Sequence, residues 1–135
     1  MIKKIEHLGI AVQNIETSNS LFEKLLNASP YKMELVEREG VMTSFFQVGD
    51  SKIELLQATH QDSPIAKYLE KNKQGIHHIA FDVDDIFAEM SRLEKEGFVL
   101  LSTEPKPGAD GKIIVFLHPK STNGVLIELC QDAQL

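Results

Sequence analysis

Apolar and polar positions follow one another in an order that the chain uses twice. Ile5 to Val12 alternates as a strand, with Leu8, Ile10 and Val12 on one face and Ile5, His7 and Gly9 on the other. Asn14 is placed to cap a helix running to about Asn27, with Ile15, Phe22, Leu25 and Leu26 as its apolar stripe. Pro30 requires that helix to be over, because a proline restricts the residue before it. Residues 31–39, Tyr31 to Glu39, predict a strand with a charged end that Gly40 interrupts. Val41 to Val48 predicts a buried strand, Gly49-Asp50 a turn, and Ser51 to Gln57 a further strand. The order is strand, helix, then three strands.

A polar connector follows, with a helical insert. Ser63 caps and Pro64 occupies the first turn, while Ile65, Tyr68 and Leu69 give an apolar side. After it the opening pattern returns. Ile76 to Val83 predicts a strand; Asp85 replaces Asn14 as cap; Ile86, Met90 and Leu93 continue a helical stripe that Gly97 closes. Phe98 to Ser102 predicts a strand, 105–111 an irregular loop, Lys112 to His118 a strand, and Val125 to Cys130 the last one. One domain over 1–135 is expected, made of a first repeat at about 3–57, a connector at 58–74 and a second repeat at about 75–131.

The echo extends to single residues. Aligning Ile5-Glu6-His7-Leu8-Gly9-Ile10 with Ile76-His77-His78-Ile79-Ala80-Phe81 pairs His7 with His78 at a separation of 71. Glu54 and Glu128, each inside an apolar run, pair at 74, so the second copy carries three more residues between its histidine and glutamate. A turn tolerates such an insertion. Two imidazoles and two carboxylates suit a divalent first-row metal, and His7, Glu54, His78 and Glu128 are the candidate ligands. A single strand histidine is more often hydrogen-bonded or surface-facing, and alternation can also turn both glutamates to solvent. A carboxylate buried without a partner would be costly, however. His77 faces the other way, has Glu6 as its mate, and is expected beside the site or outside it. Phe45, Phe46, Phe81 and Phe116 are expected in the core on strand position.

Composition narrows the classes. Hydrophobic residues make up 42 % and charged residues 25 %, as in an ordinary globular chain. The net charge of −6, with no basic run, argues against nucleic acid. One cysteine excludes an intrachain disulfide, and no apolar run reaches 18 residues. No signal peptide is read, and a cytoplasmic protein with no membrane partner is expected.

Five stretches carry a resemblance to a known family: residues 5–12, 48–56, 63–69 (Ser-Pro-Ile-Ala-Lys-Tyr-Leu), 75–86, and 116–129 with its His118-Pro119-Lys120-Ser121 turn. Together they resemble the vicinal-oxygen-chelate superfamily and, within it and nearly end to end, the methylmalonyl-CoA epimerases. The resemblance implies an α+β fold in which two βαβββ repeats form a curved mixed sheet around a metal-containing cleft. It implies interconversion of (R)- and (S)-methylmalonyl-CoA by proton transfer at C2, a CoA thioester as partner, and a homodimer. The family's metal ligands fall on His7, Glu54, His78 and Glu128, with Co2+ expected and Mn2+, Ni2+ or Zn2+ as alternatives; some epimerases carry glutamine in place of Glu54. Its two acid/base glutamates fall on Glu128 and on Glu37, with Glu39 as the alternative. Lys106, Lys112, Lys120 and Ser121 flank the loops of the second half and are candidate substrate contacts. The competing readings are a glyoxalase I-like lyase on a glutathione hemithioacetal and a non-enzymatic small-ligand binding protein of the same fold.

Overall fold

A computed structural model describes residues 1–133. They fall into two compact units, one spanning residues 7–77 and the other residues 1–6 with His78 onward. Strand β1 (Ile2–Ala11) contributes to both.

In the 7–77 unit, β1 runs parallel to β4 (Ser51–Ala58), β4 antiparallel to β3 (Val41–Val48), and β3 antiparallel to the short β2 (Lys32–Val36). Helix α1 (Ile15–Leu26) starts where expected, because the Asn14 side chain accepts from the Thr17 N–H at 2.9 Å. It stops at Asn27, whose left-handed backbone a short polar side chain tolerates. The helix covers one face of the sheet: Val12, Ile15, Phe46 and Leu55 are buried there, with Ile10, Phe22, Leu26, Met42 and Ile53 packed around them. Helix α2 (Pro64–Lys71) is capped by Ser63, whose Oγ accepts from the Ala66 N–H.

The other unit repeats the plan. Strand β5 (Gly75–Val83) runs parallel to β8 (Ile127–Asp132), which is antiparallel to β7 (Lys112–Leu117), and β7 pairs with the two-residue β6 (Lys106–Pro107). Helix α3 (Ile86–Lys95) has Asp85 as its cap, accepting from the Ala88 N–H. Its apolar side, Ile86, Met90 and Leu93, joins Val83, Val115, Leu117 and Leu129 in the core. Each unit is thus a βαβββ repeat of mixed sheet with a helix on one face.

A further correspondence was not read from the sequence. Gln57 in β4 accepts the N–H of Ile15, and Gln131 in β8 accepts the N–H of Ile86, both at 2.6 Å. In each repeat a glutamine three residues after the expected glutamate ties the last strand to the first turn of the helix.

Four expectations change. Tyr31 to Glu39 is not one strand: β2 ends at Val36, and Glu37–Glu39 form a 3-10 turn closed by Gly40, whose N–H donates to the Glu37 carbonyl. Glu37 and Arg38 turn out to water there, while Glu39 is half-buried. Phe98 to Ser102 holds only an isolated bridge between Leu100 and Leu117, whereas Lys106–Pro107, within the segment expected to be irregular, pairs with Ile113 and Ile114. Proline can take this place because β6 is an edge strand. The final strand lies two residues later than expected.

Two local features bear on stability. Cys130 is fully buried, and burial, with Glu128 adding to it, pushes its thiol pKa far up. The α-amino group of Met1 lies 2.6 Å from Glu89 Oε1, whose other oxygen accepts from Arg92 Nε at 2.8 Å. Among the described residues no helix is long and apolar enough to cross a membrane.

The amine first, then Arg92, hold the Glu89 carboxyl below its ordinary pKa. Its stabilising contribution is therefore present above the unfolded value near 4.5 and is lost as pH falls through the folded value. Urea denaturation of wild type and Glu89→Gln should show a stability gap above pH 5 that closes on acidification. A gap independent of pH would contradict it.

Candidate functional site

Strand register decides which side chains share a face. In the 7–77 unit Gly9 sits opposite Glu54 and Phe45 opposite Glu54 on the other side, while His7 pairs with Lys52. Period two then puts His7, Glu54, Phe45 and Thr43 on the sheet face away from α1. The His7 imidazole meets the Glu54 carboxylate there, Nδ1 to Oε2 at 3.0 Å, with the two residues 4 % and 5 % exposed. A carboxylate in an apolar run is buried because an imidazole of its own repeat faces it.

The other unit places its pair by the same register. Ala80 and Phe116 both lie opposite Glu128, so His78, Ala80, Glu128 and Phe116 share the face away from α3. His78 Nε2 lies 3.4 Å from Glu128 Oε1, and both residues are buried. That contact exceeds the usual N–H···O range, whereas the His7–Glu54 contact is within it. In each pair the nitrogen and oxygen lie within the 4.8 Å that the ligands of one ion share. Buried nitrogen and oxygen donors of this kind fit a divalent cation, so each half holds a buried His/Glu pair able to contribute to chelation.

Around the second pair, Phe116 is half-buried and packs against the buried Ala80, Ile114 and Cys130. Its ring stands edge-on to the His78 ring with centroids 5.8 Å apart, and Lys106 Nζ lies 5.9 Å from its centre. Phe81 is also only partly buried, against the α3 core, whereas Phe45 and Phe46 are fully enclosed. Lys106 is thereby a candidate cation beside the ring that stands against His78. Lys112 Nζ is 2.6 Å from Asp132, and the Ser121 hydroxyl donates to the His118 carbonyl at 2.8 Å, so each already has a partner within the protein. Lys120 is exposed, and its N–H donates to His118 Nδ1. His77 stacks edge-on against Tyr68 at 4.9 Å, on the connector helix, and burial lowers its pKa.

Glu37 is exposed on the 3-10 turn and Glu39 is half-buried in it. The sequence also left Thr43 unmarked. Its hydroxyl is fully buried on the His7–Glu54 face with no hydrogen-bond partner, as is that of Ser44 on the opposite face. Two adjacent hydroxyl residues in the middle of a mainly apolar strand were the available signal.

Known proteins resemble this chain along most of its length. The model of the Glyoxalase/Bleomycin resistance protein/Dioxygenase superfamily matches residues 6–116. An ethylmalonyl-CoA/methylmalonyl-CoA epimerase of Cereibacter sphaeroides is 44 % identical over 133 residues, 97 % of this chain and 99 % of that protein. The mitochondrial methylmalonyl-CoA epimerase of Homo sapiens is 41 % identical over 129 residues, 95 % of this chain and 73 % of that one. Among solved structures, a Streptomyces coelicolor methylmalonyl-CoA epimerase in complex with 2-nitronate-propionyl-CoA superposes with a TM-score of 0.92 at 33 % identity, covering 99 % of this chain and 100 % of that one. That complex has a glutamine changed to alanine; sister complexes have a glutamate changed to glutamine or to leucine.

Thr43 supplies a direct test of the buried-hydroxyl geometry. Thr43→Val keeps the shape and removes an unsatisfied group, so thermal or urea denaturation should show unchanged or raised stability, by up to about 1 kcal/mol. A loss larger than that would mean the hydroxyl is bonded in the folded protein.

Proposed function

The chain belongs to the Glyoxalase/Bleomycin resistance protein/Dioxygenase superfamily, in its methylmalonyl-CoA epimerase family, and on that premise we propose that it interconverts (R)- and (S)-methylmalonyl-CoA by moving the proton at C2. The observation that carries this reading is the buried imidazole–carboxylate pair at the same place in each repeat, in a chain that follows such epimerases nearly end to end.

His7, Glu54, His78 and Glu128 would together hold one divalent ion; the likeness to the epimerases implies Co2+, with Mn2+, Ni2+ or Zn2+ as alternatives. Bound there, the ion supplies an electrophile for the negative charge that builds on the substrate oxygens.

C2 lies between a thioester carbonyl and a carboxylate. One protein carboxylate takes the C2 proton, the C–H electron pair passes into the thioester as an enolate, and a protonated carboxyl on the opposite side returns a proton to C2. Inversion needs a group on each side, and Glu128 and Glu37 are the pair. The long contact to His78 leaves Glu128 less engaged by its own imidazole than Glu54 is by His7. That suits Glu128 to proton transfer and Glu54 to holding. In the Streptomyces coelicolor complexes the interval between the altered glutamate and the altered glutamine equals that from Glu37 to Glu54 here, which supports Glu37 over Glu39. Lys106, over Phe116, is placed to meet substrate charge; Lys112, Lys120 and Ser121 are the further candidates for the CoA portion. The same reading makes the protein a homodimer, and a cytoplasmic location is proposed beside it.

Incubating metal-loaded protein with either epimer in heavy water should give inversion and deuterium at C2, read by NMR. Turnover of a glutathione hemithioacetal alone, or ligand affinity without exchange, would remove the reading. Glu37→Gln and Glu128→Gln should each slow epimerisation by about 10²–10⁴-fold. His7→Ala and His78→Ala should lose bound metal and activity together; full metal content in both would defeat the four-ligand assignment.

A further inference from the structure

Glu37 stands on an exposed turn of three residues, and a group that must reach one side of a carbon needs that turn held still. Strand β2 fixes its start, and β3 begins directly after Gly40 with Val41 paired to Val36. The connector backs its end. Gly40 closes the turn at φ +65, in the left-handed region, and its carbonyl accepts from the Thr59 N–H at 2.9 Å. No side chain fits at Gly40: a Cβ there would lie 2.7 Å from the His60 imidazole and 2.7 Å from Ser63 Cβ. The imidazole is the end of a movable side chain. Ser63 is not movable, because it is 1 % exposed, donates its N–H to the His60 carbonyl and caps α2.

We infer that Gly40 and the His60–Ser63 turn are positioning residues for Glu37, so that the connector sets the reach of one of the two proton-transfer groups. This rests on the epimerase reading and on Glu37 as the group concerned. The close approach of Gly40 to Ser63 turns the connector from a tether between repeats into the backing of the turn. Displacing the turn by a methyl's width takes one carboxylate away from its side of the substrate and leaves Glu128 where it is.

The test is Gly40→Ala, with Gly49→Ala and Glu37→Gln beside it. Gly49 has a comparable left-handed backbone, φ +59, but open space around a Cβ, so its variant carries the backbone strain without the collision. Each variant is loaded with metal and given each epimer separately in heavy water, and both inversion and deuterium at C2 are followed. Gly40→Ala should lose inversion by about 10- to 100-fold while still exchanging the C2 proton of one epimer, the one Glu128 deprotonates. Glu37→Gln should show the same one-sided exchange, and Gly49→Ala should keep inversion and exchange in their wild-type ratio. A proportional fall of inversion and of exchange from both epimers in Gly40→Ala, with Glu37→Gln one-sided, overturns the positioning role alone. Two-sided exchange in Glu37→Gln overturns the assignment of Glu37, and the inference with it.

Discussion

A carboxylate can leave water only if something inside the protein answers its charge, and this chain buries one at the same place in each repeat. In both cases the answer is an imidazole from the first strand of that repeat, brought alongside by parallel pairing of the first and last strands. Much else serves that meeting. The helices cover the opposite faces, the glutamines three residues on tie each last strand to a helix start, and the capping side chains fix where each helix begins. The repeated unit is therefore a device for holding one nitrogen and one oxygen donor close together in a dry place.

The two contacts are not equal, and the proposed division of labour draws on that inequality. His7 and Glu54 lie at ordinary hydrogen-bonding distance, while His78 and Glu128 are held further apart, beside an aromatic ring and a lysine. A duplicated frame thus places the two pairs equivalently while their distances differ. The exposed turn carrying Glu37 is another difference, since it occurs between β2 and β3 of one repeat.

Period-two alternation and capping residues made most of the fold legible, because both act over a few neighbouring positions. Asn14, Ser63 and Asp85 cap as their side chains suggest. The strand ending at Glu39 was misread because a charged segment next to a glycine can extend or turn with equal local preference; the Gly40–Thr59 hydrogen bond, between residues far apart in sequence, decides it. Lys106–Pro107 was misread because an edge strand can be two residues long and still pair. Within the site, the repeat spacing pointed to both imidazoles and both carboxylates. It carried no information on Phe116 beside His78 or on the solitary hydroxyl of Thr43, which depend on three-dimensional neighbours.

Cys130 lies two residues beyond Glu128 on the same strand, enclosed, with its thiol held in the neutral form at physiological pH. A neutral enclosed thiol is a poor nucleophile. The chain has no other cysteine. Any cysteine engineered onto its surface would then be the sole group open to maleimide or disulfide chemistry, and a spectroscopic label could be attached at one chosen position with no native residue first removed.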